Sequence, residues 1–331
     1  MEGTVNSSLA KRAVGVTLGA VVLQLLMIVA FSWPAARTAP NDVPIVTAGP
    51  QAAAAAARLD RQLPGAFEAS AVADEAAARK ALADREAYGA IVATPAGPRV
   101  LVASAASPAV AQQLTQLGAQ LAGAPAGGAV QDVVAADPDD PRGAGFGALA
   151  LPLIMSSLAA AVLLTFAIPR LGARAAALVA FSALGGLAVA WLAQGWLSVL
   201  PGSYAAVAGV MALAILAVSG TVTGLAAVLG RPGIGLGALT LLLLGNPLSA
   251  AASAPELLPQ PWGELGQLLP PGAAATLLRS VAFFDGAGAG GALTVLLVWA
   301  GAGLLLLGIG GLRGRGGDAA VAPEREPALA S

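Results

Sequence analysis

The chain of 331 residues contains no cysteine and no histidine, and its only lysines are Lys11 and Lys80. Without cysteine, disulfides, thiolate nucleophiles and iron–sulfur centres are excluded. Without histidine, Ser-His-Asp and Cys-His catalysis and histidine-ligated metal sites are excluded as well. No G-x-x-x-x-G-K-[ST] motif occurs, so this chain does not hydrolyse ATP through a P-loop. We therefore expect no enzymatic activity, no metal and no cofactor.

Charged residues are also scarce. They make up 11% of the chain, whereas 57% of the residues are hydrophobic and the mean hydropathy is +0.79. A typical soluble domain is about 25% charged, so this composition indicates a membrane protein with the lipid bilayer as its solvent. The net charge of −1 provides no basic field for a nucleic acid, and we expect no nucleic-acid partner.

Long apolar runs divide the chain. The run over 13–33 exceeds a signal-peptide core of about 7–15 residues, and Trp33-Pro34 stands where small residues should precede a cleavage site. It is therefore predicted to be an uncleaved transmembrane helix. Five further apolar segments follow, four within 145–252 and one over 290–312. The predicted fold class is an α-helical polytopic membrane protein with six transmembrane helices, flanked by terminal segments over 1–12 and 313–331.

The residues between the first two spans, 34–144, are predicted to form an extracytoplasmic α/β domain. Short apolar strands alternate there with helices that carry recognisable caps. Asp74 precedes one helix, and Ser107-Pro108 supplies a cap and a first-turn proline for another. The turn Pro95-Ala96-Gly97-Pro98 separates two apolar runs and predicts a hairpin.

Basic residues indicate the orientation of the spans. With six crossings, the basic residues at the ends of the apolar segments fall on one side; they are Lys11, Arg12, Arg170, Arg174, Arg231, Arg313 and Arg315. The positive-inside rule then places both termini in the cytoplasm of a cell (plasma) membrane protein. No predicted span contains a charged residue, which argues against a proton-coupled pump or an ion channel.

The segment over 253–289 is too interrupted by proline to cross a bilayer. Its periodicity places Leu277, Val281 and Phe284 on one helical face, which predicts short helices lying at or dipping into the outer leaflet. Together with Trp262, these three residues form a candidate outer gate. A packing loop without a gating role is the alternative.

This organisation resembles that of type-2 ABC exporter permeases and of the related phage-infection-protein (Pip-like) membrane proteins. The matching stretches include 73–82 and 88–95 in the α/β domain, and Gly245-Asn246-Pro247, Pro255-Glu256-Leu257-Leu258-Pro259 and Leu269-Pro270-Pro271-Gly272 near the outer segment. The resemblance implies outward transport of a hydrophobic or amphipathic substrate, a separate ATP-binding subunit as partner, and a homo- or heterodimer.

One feature departs from that family. Its loop between the second and third spans carries a helix that contacts the ATPase, whereas here the loop is only Pro169–Arg174. Arg170 and Arg174 are therefore the candidate coupling residues. The short loop also favours the alternative function, a Pip-like receptor or scaffold at the cell surface without ATP coupling.

Three G-x-x-x-G pairs lie within the predicted spans, at Gly15/Gly19, Gly220/Gly224 and Gly233/Gly237. Such pairs can bring helices into close contact. With 42 glycines in the chain, about five pairs are expected by chance. The sequence therefore predicts no particular helix contact from them.

Overall fold

The computed structural model describes residues 2–95, 97–122 and 130–320. Five of its helices are long and apolar enough to cross a membrane, which identifies a multi-pass helical membrane protein. The spanning portions are Leu9–Ala36, Ala144–Ala167, Leu171–Trp196, Tyr204–Leu229 and Ala289–Arg313. They belong to helices α1 (Glu2–Ala36), α5 (Ala144–Ala167), α6 (Leu171–Trp191, extended by a π-helical turn), α7 (Tyr204–Leu229) and α11 (Ala289–Ala320).

The fifth predicted span differs from expectation. The segment predicted as a full crossing within 233–252 forms a shorter apolar helix, α8 (Arg231–Leu239), which continues as a π-helical turn over Thr240–Gly245. Asn246-Pro247 follow directly, and proline disfavours the helical conformation of the residue before it and cannot donate a helical hydrogen bond. The tail predicted over 313–331 lies outside the described residues from 321 onward, and α11 continues to Ala320.

Helix α7 is the centre of the helical bundle. Of its most apolar window, 67% is buried, compared with 22–28% for α5, α6 and α11. Its buried hydroxyl groups donate to carbonyl oxygens one turn earlier, as Thr221 does to Ala217 at 2.7 Å and Thr223 to Ser219 at 2.6 Å. These polar groups are therefore satisfied within the helix, and α7 packs as an apolar element.

Between α1 and α5 the chain forms a three-layer α/β domain. Its five-stranded sheet has the order β2-β1-β3-β4-β5, and only the β3–β4 hairpin is antiparallel. The strands are β1 (Val43–Ala48), β2 (Phe67–Val72), β3 (Gly89–Thr94), β4 (Gly97–Val102) and β5 (Val130–Asp132). The helices are α2 (Ala52–Gln62), α3 (Glu75–Ala83) and α4 (Pro108–Ala122).

Local capping explains where two of these helices begin. The carboxylate of Asp74 accepts a hydrogen bond from the backbone N–H of Ala77 at 2.8 Å, and the hydroxyl of Ser107 accepts one from Val110 at 3.3 Å. Side chains at these positions satisfy N–H groups that lack a partner within the helix. Helix α3 covers one face of the sheet, and α2 and α4 cover the other, so that each face buries its own apolar core.

Candidate functional site

Residues 253–289, here called the outer segment, connect the α/β domain with the helical bundle. The segment contains a 3₁₀ turn (Pro255–Leu257) and helices α9 (Trp262–Gln267) and α10 (Pro270–Phe283). Ten of the 14 residues of α10 are buried. Protein rather than lipid covers most of the apolar face expected to meet the outer leaflet, because Leu277 lies in the core of the bundle and Phe284, directly after the helix, lies in the core of the α/β domain.

The four predicted gate residues lie in different surroundings. Leu277 is 2% exposed and belongs to the core of the bundle, against which the half-buried Val281 also packs. Phe284 is 5% exposed but belongs to the core of the α/β domain. Trp262 is exposed, with its ring edge-on to that of Trp33 at 6.3 Å between centroids. The structure therefore does not bring the four side chains together.

The outer segment contributes apolar side chains to both cores of the α/β domain. Phe284 packs on the α3 side of the sheet, and Leu257 packs on the side covered by α2 and α4. Two backbone hydrogen bonds reinforce the junction, from Ala39 N–H to the carbonyl oxygen of Leu257 and from Asn41 N–H to that of Glu256, both at 3.0 Å. These contacts fix the α/β domain on the outer segment.

The predicted coupling residues also differ from one another. Arg174 is buried, and its guanidinium donates to the carbonyl oxygens of Ile168 at 2.9 Å and Thr165 at 2.8 Å. It thereby satisfies carbonyls at the end of α5 that have no helical partner. Arg170 is exposed at the start of α6. Of the two, only Arg170 is exposed to solvent.

A polar cleft of about 440 Å³ opens between the α/β domain, the outer segment and the beginning of α11. The hydroxyl of Tyr88 lines it and donates to the carboxylate of Glu256 at 2.9 Å. Burial, together with the negative charge of Glu256, raises the pKa of Tyr88 well above its ordinary value. The phenol therefore stays protonated and acts as a hydrogen-bond donor across the junction.

Arg85 reaches this cleft from an unusual backbone position. Its N–H donates to the carbonyl of Leu82 and that of Glu86 to the carbonyl of Ala81, which is the hydrogen-bond pattern of a Schellman motif after α3. Arg85 has φ +62° at the position where such motifs favour glycine. Left-handed backbone costs a non-glycine residue about 1–2 kcal/mol. The strain orients a side chain whose guanidinium donates to the carbonyl of Thr276 at 3.1 Å.

Arg279 approaches the same cleft from α10. Its side chain is 5% exposed, it donates to the carbonyl oxygen of Ala251 at 2.9 Å, and its guanidinium carbon lies 4.7 Å from the centre of the Phe146 ring. Burial lowers the pKa of Arg279 to about 10, and the nearby Arg85 adds to this lowering. A group with this pKa is still protonated at neutral pH.

A second, apolar cavity lies among α5, α7 and α10, with Phe146 in its lining. Its other lining side chains are apolar and include Leu153, Met211, Pro271 and Leu278, and its volume is about 40 Å³. Phe146 lines this apolar cavity and Arg279 lines the polar cleft, and the two side chains are in contact. This juxtaposition is the most distinctive chemical feature of the molecule.

The residues that line the polar cleft were missed as site residues by the sequence analysis. One signal for them exists, because Arg279 is the only charged residue in the helix PPGAAATLLRSVAF. Its relation to Arg85 and Tyr88 depends on how the α/β domain docks, which no local pattern encodes.

Within the described residues, no group of three acidic side chains could hold a metal ion. Comparison with protein-family models, with curated proteins and with solved structures finds no match for this chain.

Proposed function

We propose that the chain is the membrane subunit of an exporter of the kind that type-2 ABC permeases represent. In this proposal it moves a hydrophobic or amphipathic solute outward, works as a homo- or heterodimer, and depends on a separate ATP-binding subunit. The observation that carries the proposal is the contact between Arg279, which lines the polar cleft, and Phe146, which lines the apolar cavity, since neighbouring polar and apolar linings suit a molecule with a polar and an apolar part.

The apolar cavity is small in this structure. Its volume of about 40 Å³ holds little more than a water molecule. Transport of an amphiphile therefore requires α10 to move away from α5 and α7, because α10 supplies Pro270, Pro271 and Leu278 to the cavity wall. The outer segment is then the moving element. Because it is attached to the α/β domain, a movement of α10 would also shift that domain.

A six-pass topology accompanies this function. Helix α8 begins beside the last turns of α7, where a Cβ on Gly233 would lie 2.2 Å from the carbonyl oxygen of Leu225. The chain then reaches Gly245, where a Cβ would lie 2.8 Å from Pro271 of α10. The 15 residues from 231 to 245 rise about 22 Å. This rise supports a sixth, short crossing, with both termini in the cytoplasm of the plasma membrane and the α/β domain outside.

The short connection between α5 and α6 favours a second function. Only Ile168–Arg170 separate the two helices, and Arg174 is engaged with the end of α5. A chain without a coupling helix is suited to act as a surface receptor or scaffold, with the α/β domain as the partner-binding part.

Purification from native membranes distinguishes the two functions. The tagged chain is extracted in polymer nanodiscs, and co-purifying proteins are identified by mass spectrometry and assayed for ATP hydrolysis. A P-loop ATPase in stoichiometric amount is expected for the exporter, and Arg170→Glu should release it. Arg231→Glu, which reverses another exposed charge at a helix start, is the matched control. Recovery of the chain without any ATPase would favour the receptor or scaffold.

A further inference from the structure

The polar cleft contains two arginines that have no acidic partner. Among the described residues, no carboxylate lies within ion-pair distance of Arg85 or Arg279, although Glu86 and Glu256 also line the cleft. Glu86 is exposed to solvent, and Glu256 accepts the hydrogen bond from Tyr88. Cationic side chains removed from water are normally paired with an anion or a carboxylate.

Each guanidinium has hydrogen-bonding capacity left over. A guanidinium carries five N–H donors, whereas Arg85 donates to the carbonyl of Thr276 and Arg279 donates to that of Ala251. In the described part of the chain, Gln113 Oε1 is the one fully buried side-chain polar atom that lacks a hydrogen-bond partner. No nitrogen of Arg279 is both fully buried and without a partner. The remaining nitrogens of Arg279 are thus not sealed inside protein and border open space.

Another carboxylate near Arg279, that of Asp140, forms no ion pair with it among the described residues. Asp140 lines a small cavity of about 20 Å³ together with Arg279, but its carboxylate accepts a hydrogen bond from Phe146 N–H at 2.8 Å. The position of this carboxylate is therefore set by the start of α5. The free donors of Arg85 and Arg279 are available to a ligand in the larger cleft.

Part of the lining of that cleft is apolar. It consists of Leu268 of the outer segment and Ala292 and Val295 of α11. The volume of about 440 Å³ lies within the range of about 300–1,000 Å³ that is usual for small-molecule sites. A ligand that fills the cleft therefore meets both guanidinium donors and hydrocarbon.

We propose that this cleft binds an anionic amphiphile, with a phosphate or carboxylate headgroup between the guanidinium groups of Arg85 and Arg279. Planar guanidinium groups bind such oxyanions through paired hydrogen bonds. The first turns of α11 contact the apolar part of the ligand. The strained backbone of Arg85 is consistent with this role, because glycine would be more stable at that position and would not supply the charge. The site does not depend on whether the chain transports its ligand.

Calorimetric titration of the full-length chain in neutral detergent tests the proposal with three probes. Dioctanoyl phosphatidic acid carries both headgroup and chains, dioctanoylglycerol lacks the phosphate, and inorganic phosphate lacks the chains. The key variant is Arg85→Gln, whose amide can still donate to the carbonyl of Thr276. Arg142→Gln, which removes an exposed positive charge just before α5, is the matched control. Arg85→Gly is a second variant that suits the left-handed backbone.

Phosphatidic acid should bind saturably, and Arg85→Gln and Arg85→Gly should weaken this binding about tenfold or more, as expected for the loss of a charge-assisted hydrogen bond. Arg142→Gln should leave it unchanged. Equal binding by the wild-type chain and both Arg85 variants would refute the site. Inorganic phosphate binding as tightly as phosphatidic acid would show that the ligand is a free oxyanion and overturn the assignment to an amphiphile. Dioctanoylglycerol binding as tightly would refute the role of the arginines.

Discussion

The crossing of α7 and α11 provides a sharp test of the packing, through the substitution Gly303→Ala. A Cβ on Gly303 would lie 2.5 Å from the backbone carbonyl carbon of Gly220, and one on Gly224 would lie 2.4 Å from the carbonyl oxygen of Gly303. Ordinary contacts of a Cβ atom begin at 3.4 Å. The neighbours are rigid helix backbone, so the substitution must move the helices apart by about 1 Å.

The expected cost follows from two opposing effects. Overpacking of a well-packed interior costs about 1–3 kcal/mol, and a gap of 0.5–1 Å already loses a quarter to a half of each dispersion contact. Alanine is favoured over glycine in a helix by up to about 1 kcal/mol. We therefore expect Gly303→Ala to destabilise the protein by about 1–2 kcal/mol, or several degrees in apparent Tm.

The protein is heated in mild detergent, and size-exclusion chromatography then measures the fraction that remains monodisperse. Gly308 on the same helix supplies the matched control, because nothing lies within 4 Å of a Cβ added there. Gly308→Ala should be neutral or slightly stabilising. Equal melting temperatures for Gly303→Ala and Gly308→Ala would show that α7 and α11 do not approach this closely.

Three further outcomes test the topology and the junction. With cysteines introduced at Ser70 and Arg170, both exposed, an impermeant maleimide should label only the first in intact cells; labelling of the second would reverse the orientation. Phe284→Ala should destabilise the folded protein by about 3–5 kcal/mol and Leu257→Ala by about 2–5 kcal/mol. Both variants should show faster proteolysis between the α/β domain and the bundle, and unchanged proteolysis would contradict the docking. Residues 38–140 alone should give a mixed α/β circular dichroism spectrum, whereas a random-coil spectrum would show that the junction is needed for folding.

The secondary structure of the α/β domain could be predicted because local signals determine it. Asp74 and Ser107 form the helix caps predicted for them, and the two strands around the turn at 95–98 pair as a hairpin. The strand order of the sheet could not be predicted, since it depends on contacts between residues far apart in the chain.

The glycine pairs show a second limit on what the sequence can predict, namely which helices come into close contact. A Cβ added at Gly224, Gly233 or Gly237 would lie too close to a neighbouring helix, whereas one at Gly220 would make only ordinary contacts near 3.8 Å. A Cβ added at Gly15 or Gly19 would have no atom within 4 Å. All three pairs look alike in the sequence. Whether a glycine pair is covered depends on which helix packs against it, and in a glycine-rich chain the spacing alone contains no such information.

Helix α10 shows why the candidate site was only partly predictable. The spacing of Leu277, Val281 and Phe284 indicates an apolar face, but periodicity is the same whether lipid or protein covers that face. Here protein covers it, and Phe284 turns away from the bundle into the α/β domain. The one charged residue of the helix, Arg279, is 5% exposed and carries more information, because a cation is buried at a junction only where the surrounding groups compensate it.

The outer segment therefore links three parts of the molecule. It inserts Leu257 and Phe284 into the α/β domain, lines the apolar cavity with Leu278, and places Arg279 in the polar cleft. An anion held by Arg85 of the α/β domain and Arg279 of α10 would add a bond between two elements that otherwise meet through few polar contacts. Its binding would stabilise this arrangement, because a ligand favours the state to which it binds more tightly. Its departure would lower the cost of moving α10 away from the bundle.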